Sequence, residues 1–548
     1  MKKTFLFFIL ALCSIALFAQ NVDWFWAKQA GGTNDDDGCG IAVDDNGNSY
    51  VTGFFKESAT FSTTTLTSRG DYDIFVAKMD SNGNWLWAKH AGGASYDGGK
   101  GIAVDYNGNS YVTGDFKGSA TFGTTTLTSS GYYDDIFVAK LDINGNWLWA
   151  KQAGGTSDDF GYGIAVDVYG NSYVTGYFYS SSCSFGTTTL TNSGNEDIFV
   201  AKLNSNGNWL WAKQAGGKSY DTSYGIAVDT NGNSYVIGYF WSSSTFGTTT
   251  LTSRGEIDIF VAKLDSNGNW LWAKKAGGQS NDGGRSIAVD ADGNSYVTGF
   301  FWFSAAFGAT TLTTSRWEDI FVAKLDSNGN WLWAKQAGGI DYDSGTSFAV
   351  DTYGNSYVTG YFEGNATFGT TTLTSSGSAD IFVAKLSSNG NWLWAKKAGG
   401  TESDISNSIA VDDNGNSYVT GYFEESTTFG ITTLTSSGDY DIFVAKLGEV
   451  NSISLPSFSS ISSIYPNPFK HLTTIDYKIS MPVDVKIEVY NNRGQLVRNF
   501  ILGYKEQGSY KLTWEGKDNN GCLCSSGIYY IRMQAGKEIY IKKAVLLK

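Results

Sequence analysis

Trp147-Leu148-Trp149-Ala150-Lys151, Ile164-Ala165-Val166-Asp167, Gly170-Asn171-Ser172-Tyr173-Val174-Thr175-Gly176 and Asp197-Ile198-Phe199-Val200-Ala201-Lys202 follow one another in this order, and the order recurs seven times between Trp24 and Lys446. The Trp pairs stand at Trp24/Trp26, Trp85/Trp87, Trp147/Trp149, Trp209/Trp211, Trp270/Trp272, Trp331/Trp333 and Trp392/Trp394, so the period is 61 or 62 residues. A fixed period of this length marks a stacked or closed array. Within each unit, apolar and β-branched runs of four to seven residues are separated by Asn-Gly turns, the pattern of strands joined by hairpins. No segment has a helical period.

Four main strands per unit and seven units favour a β-propeller over a solenoid. The array begins and ends out of phase. Trp24 to Lys28 has no D-I-F-V-A-K strand before it, and Asp441 to Lys446 has no W-L-W-A-K strand after it. One unpaired strand at each end makes one hairpin, so the N-terminal strand is expected to complete the seventh blade and remove the open sheet edges. The fold class read from the sequence is therefore all-β: a seven-bladed β-propeller closed by its N-terminal strand, followed by a small β-sandwich.

The pattern I-A-V-D-x-x-G-N-x-Y-V-T-G followed by D-I-F-V-A-K-L resembles the SBBP class of β-propeller repeat, over Trp24 to Leu447, about four fifths of the chain. The resemblance implies the fold and leaves activity open, because propellers host binding modules, scaffolds and enzymes alike.

Residues 1–19 read as a secretory signal: Lys2 and Lys3, an apolar stretch from Phe5 to Phe18, then Ala19. No other apolar run approaches the roughly 20 residues that span a bilayer, so no transmembrane segment is expected. Residues 20–447 form the propeller, 448–463 a Ser- and Ile-rich linker, and 464–548 a separate domain; all four prolines, Pro456, Pro466, Pro468 and Pro482, follow the array. Four cysteines remain after the signal, Cys39, Cys183, Cys522 and Cys524, too scattered for a disulfide framework. The last domain carries 13 Lys+Arg against 7 Asp+Glu, whereas residues 20–463 carry 24 against 46. So acidic a propeller is no partner for nucleic acid or an anionic membrane surface.

Beyond the linker, short alternating segments such as VDVKIEVY and IYYIRMQ are split by Asn-Arg-Gly and Asn-Asn-Gly turns and predict the sandwich. Tyr465-Pro466-Asn467-Pro468-Phe469, the turn at Gly494, Gly527-Ile528-Tyr529-Tyr530 and a Lys-rich strand ending at Lys548 resemble the type A sorting domain of the type IX secretion system. The resemblance implies a Gram-negative host, passage through the periplasm, recognition by the type IX machinery and its sorting peptidase, and a destination at the outer-membrane surface or outside the cell. A monomer is expected.

Two sets of connections vary between repeats and fall on one face, opposite the near-invariant D-x-x-G-N and D-S-N-G-N turns. The first follows A-G-G and leads into the innermost strands, so Asp37, Asp97, Asp159, Asp221, Asp282, Asp343 and Asp404 are expected as an acidic ring at the channel mouth. Such a ring collects cations, calcium among them, or basic groups; the alternative is that each Asp caps its own turn. The second set, about twenty residues long, brings Tyr179, Trp241, Trp302 and Trp317 with Arg316, aromatic planes beside a polar group that suit a glycan or a peptide. It also contains T-T-T-L-T, which reads as an additional strand.

With two histidines in the chain, His90 and His471, a His-based triad or zinc site is close to excluded. Near-identical blades argue against a single catalytic centre. The expected function is a non-catalytic exported propeller that binds a polysaccharide, peptide or surface partner. The alternatives are a secreted carbohydrate-active enzyme on this scaffold and a purely structural surface protein.

Overall fold

The computed structural model describes residues 22–450, 460–479, 482–506, 508–536 and 538–547. The signal expected at 1–19 and the landmark Lys548 lie outside the described residues. The chain divides into two compact units, one ending at Val450 and one beginning at Asn451.

The first unit is the expected propeller. In its first blade the strands Asp36–Val43, Ser49–Phe61, Thr64–Met79 and Trp85–Gly93 pair antiparallel in that order from axis to rim. Each innermost strand packs against its neighbours, and Asp36–Val43 packs against Asp404–Val411 of the seventh blade, which closes the ring. The N-terminal strand, Val22–Ala30, pairs with Thr432–Glu449 and supplies the seventh blade's rim strand, as expected.

The D-I-F-V-A-K strands are apolar on both faces because each blade is sandwiched between two others. Ile74 and Val76 pack with Ile102, Val112 and Phe116 of the second blade, while Phe75 and Met79 pack with Ile442 and Val444 of the seventh. Every hydrophobic core is thus shared between neighbours.

The D-x-x-G-N turns are hairpin chemistry. Asp44 Oδ1 accepts the backbone N–H of Asn46 and Asn48, its Oδ2 accepts from the Asn48 amide, and Gly47 takes φ +74° to let the chain reverse. The buried Tyr50 hydroxyl spans Asp44 and the carbonyl of Gly108 in the next blade, 3.1 Å away. Tyr111, Tyr173 and Tyr235 repeat this staple toward Gly170, Gly232 and Gly293. On the same face Trp26 donates its indole N–H to Ser81 of the next blade, again a repeated contact. The T-T-T-L-T segment does form a strand. In the second blade Thr125–Thr128 pairs with Ser119–Phe122, and that hairpin pairs in turn with the rim strand of the first blade at Gly92 and Gly93.

The linker is shorter than the 448–463 expected. Gly448 and Glu449 still pair with Asp23 and Val22, and a strand at Ser460–Tyr465 belongs to the second unit. That unit is a sandwich of a three-stranded and a four-stranded sheet around Ile475, Ile487, Val489, Trp514, Ile531 and Met533. Its sequence landmarks have structural work. Asn467 bridges the last strand, donating to the Lys543 carbonyl and accepting from Val545 N–H; Thr473 Oγ1 donates to the carbonyl of Pro466. Gly494 closes a turn at φ +76°. Gly527 opens a strand in which the Tyr529 hydroxyl donates to Ser525, whereas Tyr465 and Pro468 are solvent-exposed or partly so at the sheet's edge.

Candidate functional site

Sevenfold repetition makes the departures from it informative. Three positions after the first Asp of each innermost strand stand Cys39, Lys100, Tyr162, Tyr224, Arg285, Thr346 and Asn407, and all seven line the central cavity of about 530 Å³. On the strand paired with the innermost one, Phe54, Tyr177, Tyr239, Phe300, Tyr361 and Tyr422 occupy equivalent places, with Asp115 in the second blade.

These residues divide the channel mouth by chemistry. Blades three and four build a tyrosine wall: Tyr162 stacks on Tyr177 at 5.6 Å and meets Tyr224 edge-on at 5.0 Å, and Tyr224 in turn packs on Tyr239. Arg285 lies 4.7 Å over Tyr224 and 5.3 Å over Phe300, a cation held by two rings. Across the mouth, Lys100 donates to the Tyr96 hydroxyl at 3.1 Å and sits 5.1 Å over Phe54. Burial pulls the Lys100 pKa down, but Asp115, Cys39 and Tyr96 together outweigh it and hold the ammonium well above its ordinary value. Burial likewise raises Asp115, which Lys100 opposes. Asp134 stands beside Asp158, whose Oδ1 accepts its N–H at 3.1 Å; burial, then Asp115 and Asp158, push the Asp134 carboxyl up to about 6.

The expected aromatics fall into two groups on this face. Trp302, Trp317 and Arg316 come together: Trp302 stacks on Phe303 at 5.2 Å and on Trp317 at 5.9 Å, and Trp317 stacks on Tyr342 at 4.9 Å. Arg316 lies 5.6 Å over Trp317, and its carbonyl accepts the Trp302 indole N–H at 3.0 Å. Trp302 and Trp317 thus each stack on two rings, and Phe303 and Tyr342 end this four-ring row. Trp241 stacks on Tyr220 at 5.9 Å and keeps its other face open. Tyr179 packs edge-on against Tyr177 at 5.9 Å, apart from the Trp302 row.

Phe303 departs furthest from its repeat. It has φ +61° in a bulge that recurs around the ring: Glu57, Ser242 and Glu425 hold the same left-handed conformation in the first, fourth and seventh blades, and Gly118 and Gly364 in the second and sixth, so what sets Phe303 apart is its ring. A left-handed conformation costs a residue with a Cβ about 1–2 kcal/mol. Phe303 is nevertheless 55% exposed, so core burial does not offset that strain. It borders a second cavity of about 470 Å³ with Arg254, Gly278, Gln279 and Ser304.

The acidic ring is not where the sequence put it. Asp97, Asp159, Asp221, Asp282, Asp343 and Asp404 are fully buried beneath the A-G-G loops instead of facing the channel. Each accepts the backbone N–H of its own A-G-G segment through Oδ2, as Asp97 does from Gly93 at 2.7 Å. Their counterpart in the first blade is Asp36, which accepts from Gly32 at 2.7 Å, and not Asp37. One residue along a strand reverses the side chain's direction, so Asp37 alone of the seven lines the channel, where Asn407 donates to it at 2.8 Å and burial raises it to about 7. Comparing the third position past each Asp, rather than the Asp itself, would have exposed Lys100, Tyr162, Tyr224 and Arg285 from sequence; Tyr220 and Tyr342 carry no such signal beyond their departure from the repeat.

Seven segments, residues 26–53, 86–115, 148–177, 210–242, 271–299, 332–361 and 393–422, match the family model for the beta-propeller repeat SBBP. The chain carries seven SBBP repeats. Residues 470–538, within the second unit, match the FlgD Ig-like domain model. Among relatives, the SBBP array is similar to an uncharacterized WD repeat-containing protein, L264, of Acanthamoeba polyphaga mimivirus, 26% identical over 77% of this chain and 38% of the relative. It is also similar to the regulatory protein FlaEY of Caulobacter vibrioides, 29% identical over 31% of this chain and 18% of the relative. The chain thus spans well under half the length of these relatives. Among solved structures, a fungal alcohol oxidase of the AA5 family in complex with copper aligns over 96% of this chain and 99% of its own at 11% identity and TM-score 0.39. PorZ, a surface component of the type IX secretion system of Porphyromonas gingivalis, aligns over 93% and 81% at 13% identity and TM-score 0.23. Neither bears on what the SBBP propeller of this chain does.

Proposed function

We propose that this protein is an exported, non-catalytic SBBP propeller whose loop face binds a glycan, and that its C-terminal unit is a type IX sorting domain. The observation that carries the binding reading is Phe303: an exposed aromatic ring at the end of a row of stacked rings, beside a cavity that offers Arg254 and Gln279 as hydrogen-bond donors. Aromatic planes flanked by polar donors suit the apolar faces and hydroxyls of sugar rings.

Phe303→Gly separates the two roles. It relieves about 1–2 kcal/mol of left-handed strain and forfeits about 0.5–1.5 kcal/mol of stacking on Trp302, so unfolding in urea should shift by no more than about 1 kcal/mol. Binding to the glycans that the unmodified protein selects from an array should fall about tenfold, or ~1.4 kcal/mol. An array without a glycan hit, or a hit that Phe303→Gly leaves unchanged, sinks the reading.

Asp134 and Asp158 favour one other reading. They are a close carboxylate pair at the junction of the second and third blades, with one member's pKa raised, the arrangement that acid/base cleavage of a glycosidic bond employs. Shortening of the bound glycan in the same assay would select it. For export, a chain ended after Val450 should stay in the periplasm; its arrival at the cell surface would remove the sorting role.

A further inference from the structure

The Asp under each A-G-G loop has a second carboxylate beside it. The first Asp of each D-I-F-V-A-K strand, Asp73, Asp135, Asp197, Asp258, Asp319, Asp380 and Asp441, is fully or almost fully buried, and in all seven its Oδ1 has no hydrogen-bond partner. These oxygens face the inner Asp across the A-G-G glycine. A Cβ added to Gly338 would sit 2.5 Å from Asp319 Oδ1 and 2.9 Å from Asp343 Oδ2, and one on Gly277 would sit 2.6 Å from Asp258 Oδ1 and 3.0 Å from Asp282 Oδ2. Seven buried carboxylate pairs therefore surround the ring, and in each the outer member has an oxygen with nothing donating to it.

Two ionised carboxylates in so dry a place repel each other and pay for desolvation twice. Something positive must lie between them. Calcium, the cation expected for an acidic ring, takes six to eight oxygens. These pairs do not fit it: among the described residues no group of three His, Cys, Asp or Glu side chains converges, and both oxygens of the inner Asp already accept backbone N–H groups in Asp36, Asp97, Asp159 and Asp282, whereas Asp221, Asp343 and Asp404 accept through Oδ2 and leave Oδ1 unpartnered.

We infer that each pair holds one proton at neutral pH, shared between the two carboxyl groups, so that the propeller is built around seven buried protons. Such a proton lies between the unpartnered Oδ1 of the outer Asp and the inner Asp it faces. Burial, the largest cause, lifts the inner carboxyls to about 7 or 8, with the outer partner adding to the rise.

The repeats themselves vary the charge at this place. After W-x-W-A-K come Gln29, His90, Gln152, Gln214, Lys275, Gln336 and Lys397. Lys275 reaches Asp258 at 3.7 Å and Lys397 reaches Asp380 at 3.1 Å, so in two pairs a lysine touches the outer carboxylate, and at the other five this position is Gln or His. Burial, then Arg69, lowers the pKa of His90, which leaves it neutral. The other charged groups in range are Asp35 at the Asp36 pair, Arg69 and Asp115 at the Asp97 pair, and Glu196 at the Asp221 pair. Arg254 and Glu318 act on the Asp282 pair and Asp341 on the Asp343 pair, while Cys183 faces the Asp159 pair.

The sign follows from linkage. These folded-state pKa values lie above the unfolded value near 4, so the folded chain holds protons that the unfolded chain releases. Stability is greatest at the acid end, falls as pH rises, and is lost through about pH 8. For every such proton the folding constant drops about tenfold per pH unit in that window. The test is the thermal midpoint of the full chain in chelator between pH 5 and 9, together with the infrared carbonyl stretch of protonated carboxyl groups at pH 7. A falling midpoint and a protonated-carboxyl band are expected. Asp197→Asn, whose amide can donate to Asp221 in place of the proton, should fold at pH 7 and lose one factor of ten per pH unit from the slope; Gln214→Lys should do so in part. A flat or rising midpoint, a missing band, or a midpoint that calcium restores after chelation would each overturn the proposal.

Discussion

Removal of Val22–Ala30 is expected to cost the propeller most of its stability. The strand buries Val22, Trp24, Ala27 and Ala30 against the seventh blade. Trp24 meets Phe429 edge-on at 5.0 Å and donates its indole N–H to the Lys397 carbonyl at 3.2 Å. Trp24→Ala alone should cost about 3–5 kcal/mol, the range for emptying a buried tryptophan site. Loss of the whole strand also bares the edge of Thr432–Glu449, and the total approaches the 5–15 kcal/mol that stabilises an ordinary domain. Urea unfolding of the two variants checks this, with a synthetic peptide of the missing strand added back to the deleted chain. A deleted chain that unfolds with the intact protein would mean that ring closure contributes nothing.

The second large effect is expected at Gly176. Every S-Y-V-[TI]-G motif ends on a glycine, within its strand, that lies flat against the innermost strand. A Cβ on Gly176 would overlap the carbonyl oxygen of Phe160 and come within 2.9 Å of the Phe199 ring. The obstacle is backbone of the paired innermost strand of the same blade, held between its neighbours in the ring so that neither strand can retreat. Gly176→Ala should therefore destabilise by about 3 kcal/mol, the upper end for overpacking a core. Ala in place of the exposed Gly494, where nothing lies within 4 Å, avoids the clash and meets only the strain of φ +76°. Equal losses at the two sites would show that crowding at Gly176 is not the cause.

The fold was legible because repetition reports it directly: the W-x-W-A-K and D-I-F-V-A-K strands out of phase at the two ends predict closure, and Val22–Ala30 pairs with Thr432–Glu449 accordingly. The site was harder to read. Recurrent Asp97 and its equivalents drew attention as a ring, yet a residue that recurs in every blade serves what every blade shares, here the buried interface. Asp36 and Asp37 are adjacent, and the alternation of a strand sends one into that interface and the other into the channel. Trp302 and Trp317 were found by their departure from the repeat, but the rings that cover them, Phe303 and Tyr342, reach them from a bulge and from the next blade's loop. Those distances depend on curvature of the whole ring, to which a local pattern is blind. The end of the linker was likewise invisible, since Gly448 and Glu449 gain their partners only from Asp23 and Val22 at the other end of the chain.

Seven rim positions of nearly the same shape present the newly made chain with a problem of address. A W-x-W-A-K strand fits the edge of any D-I-F-V-A-K strand, so mispaired rings differ little in energy from the correct one and the landscape has competing minima. The first strand is distinguishable from its copies. It begins with Val22 and Asp23, and it carries Phe25 where the other six have leucine. Val22 is buried opposite Glu449, and Phe25 lies so close to Gly448 that a side chain there would touch its ring. Only the last D-I-F-V-A-K strand continues into Gly448 and Glu449, so only that edge accepts the longer, bulkier strand. The two ends of the array thus recognise each other through the few residues in which they are not repeats.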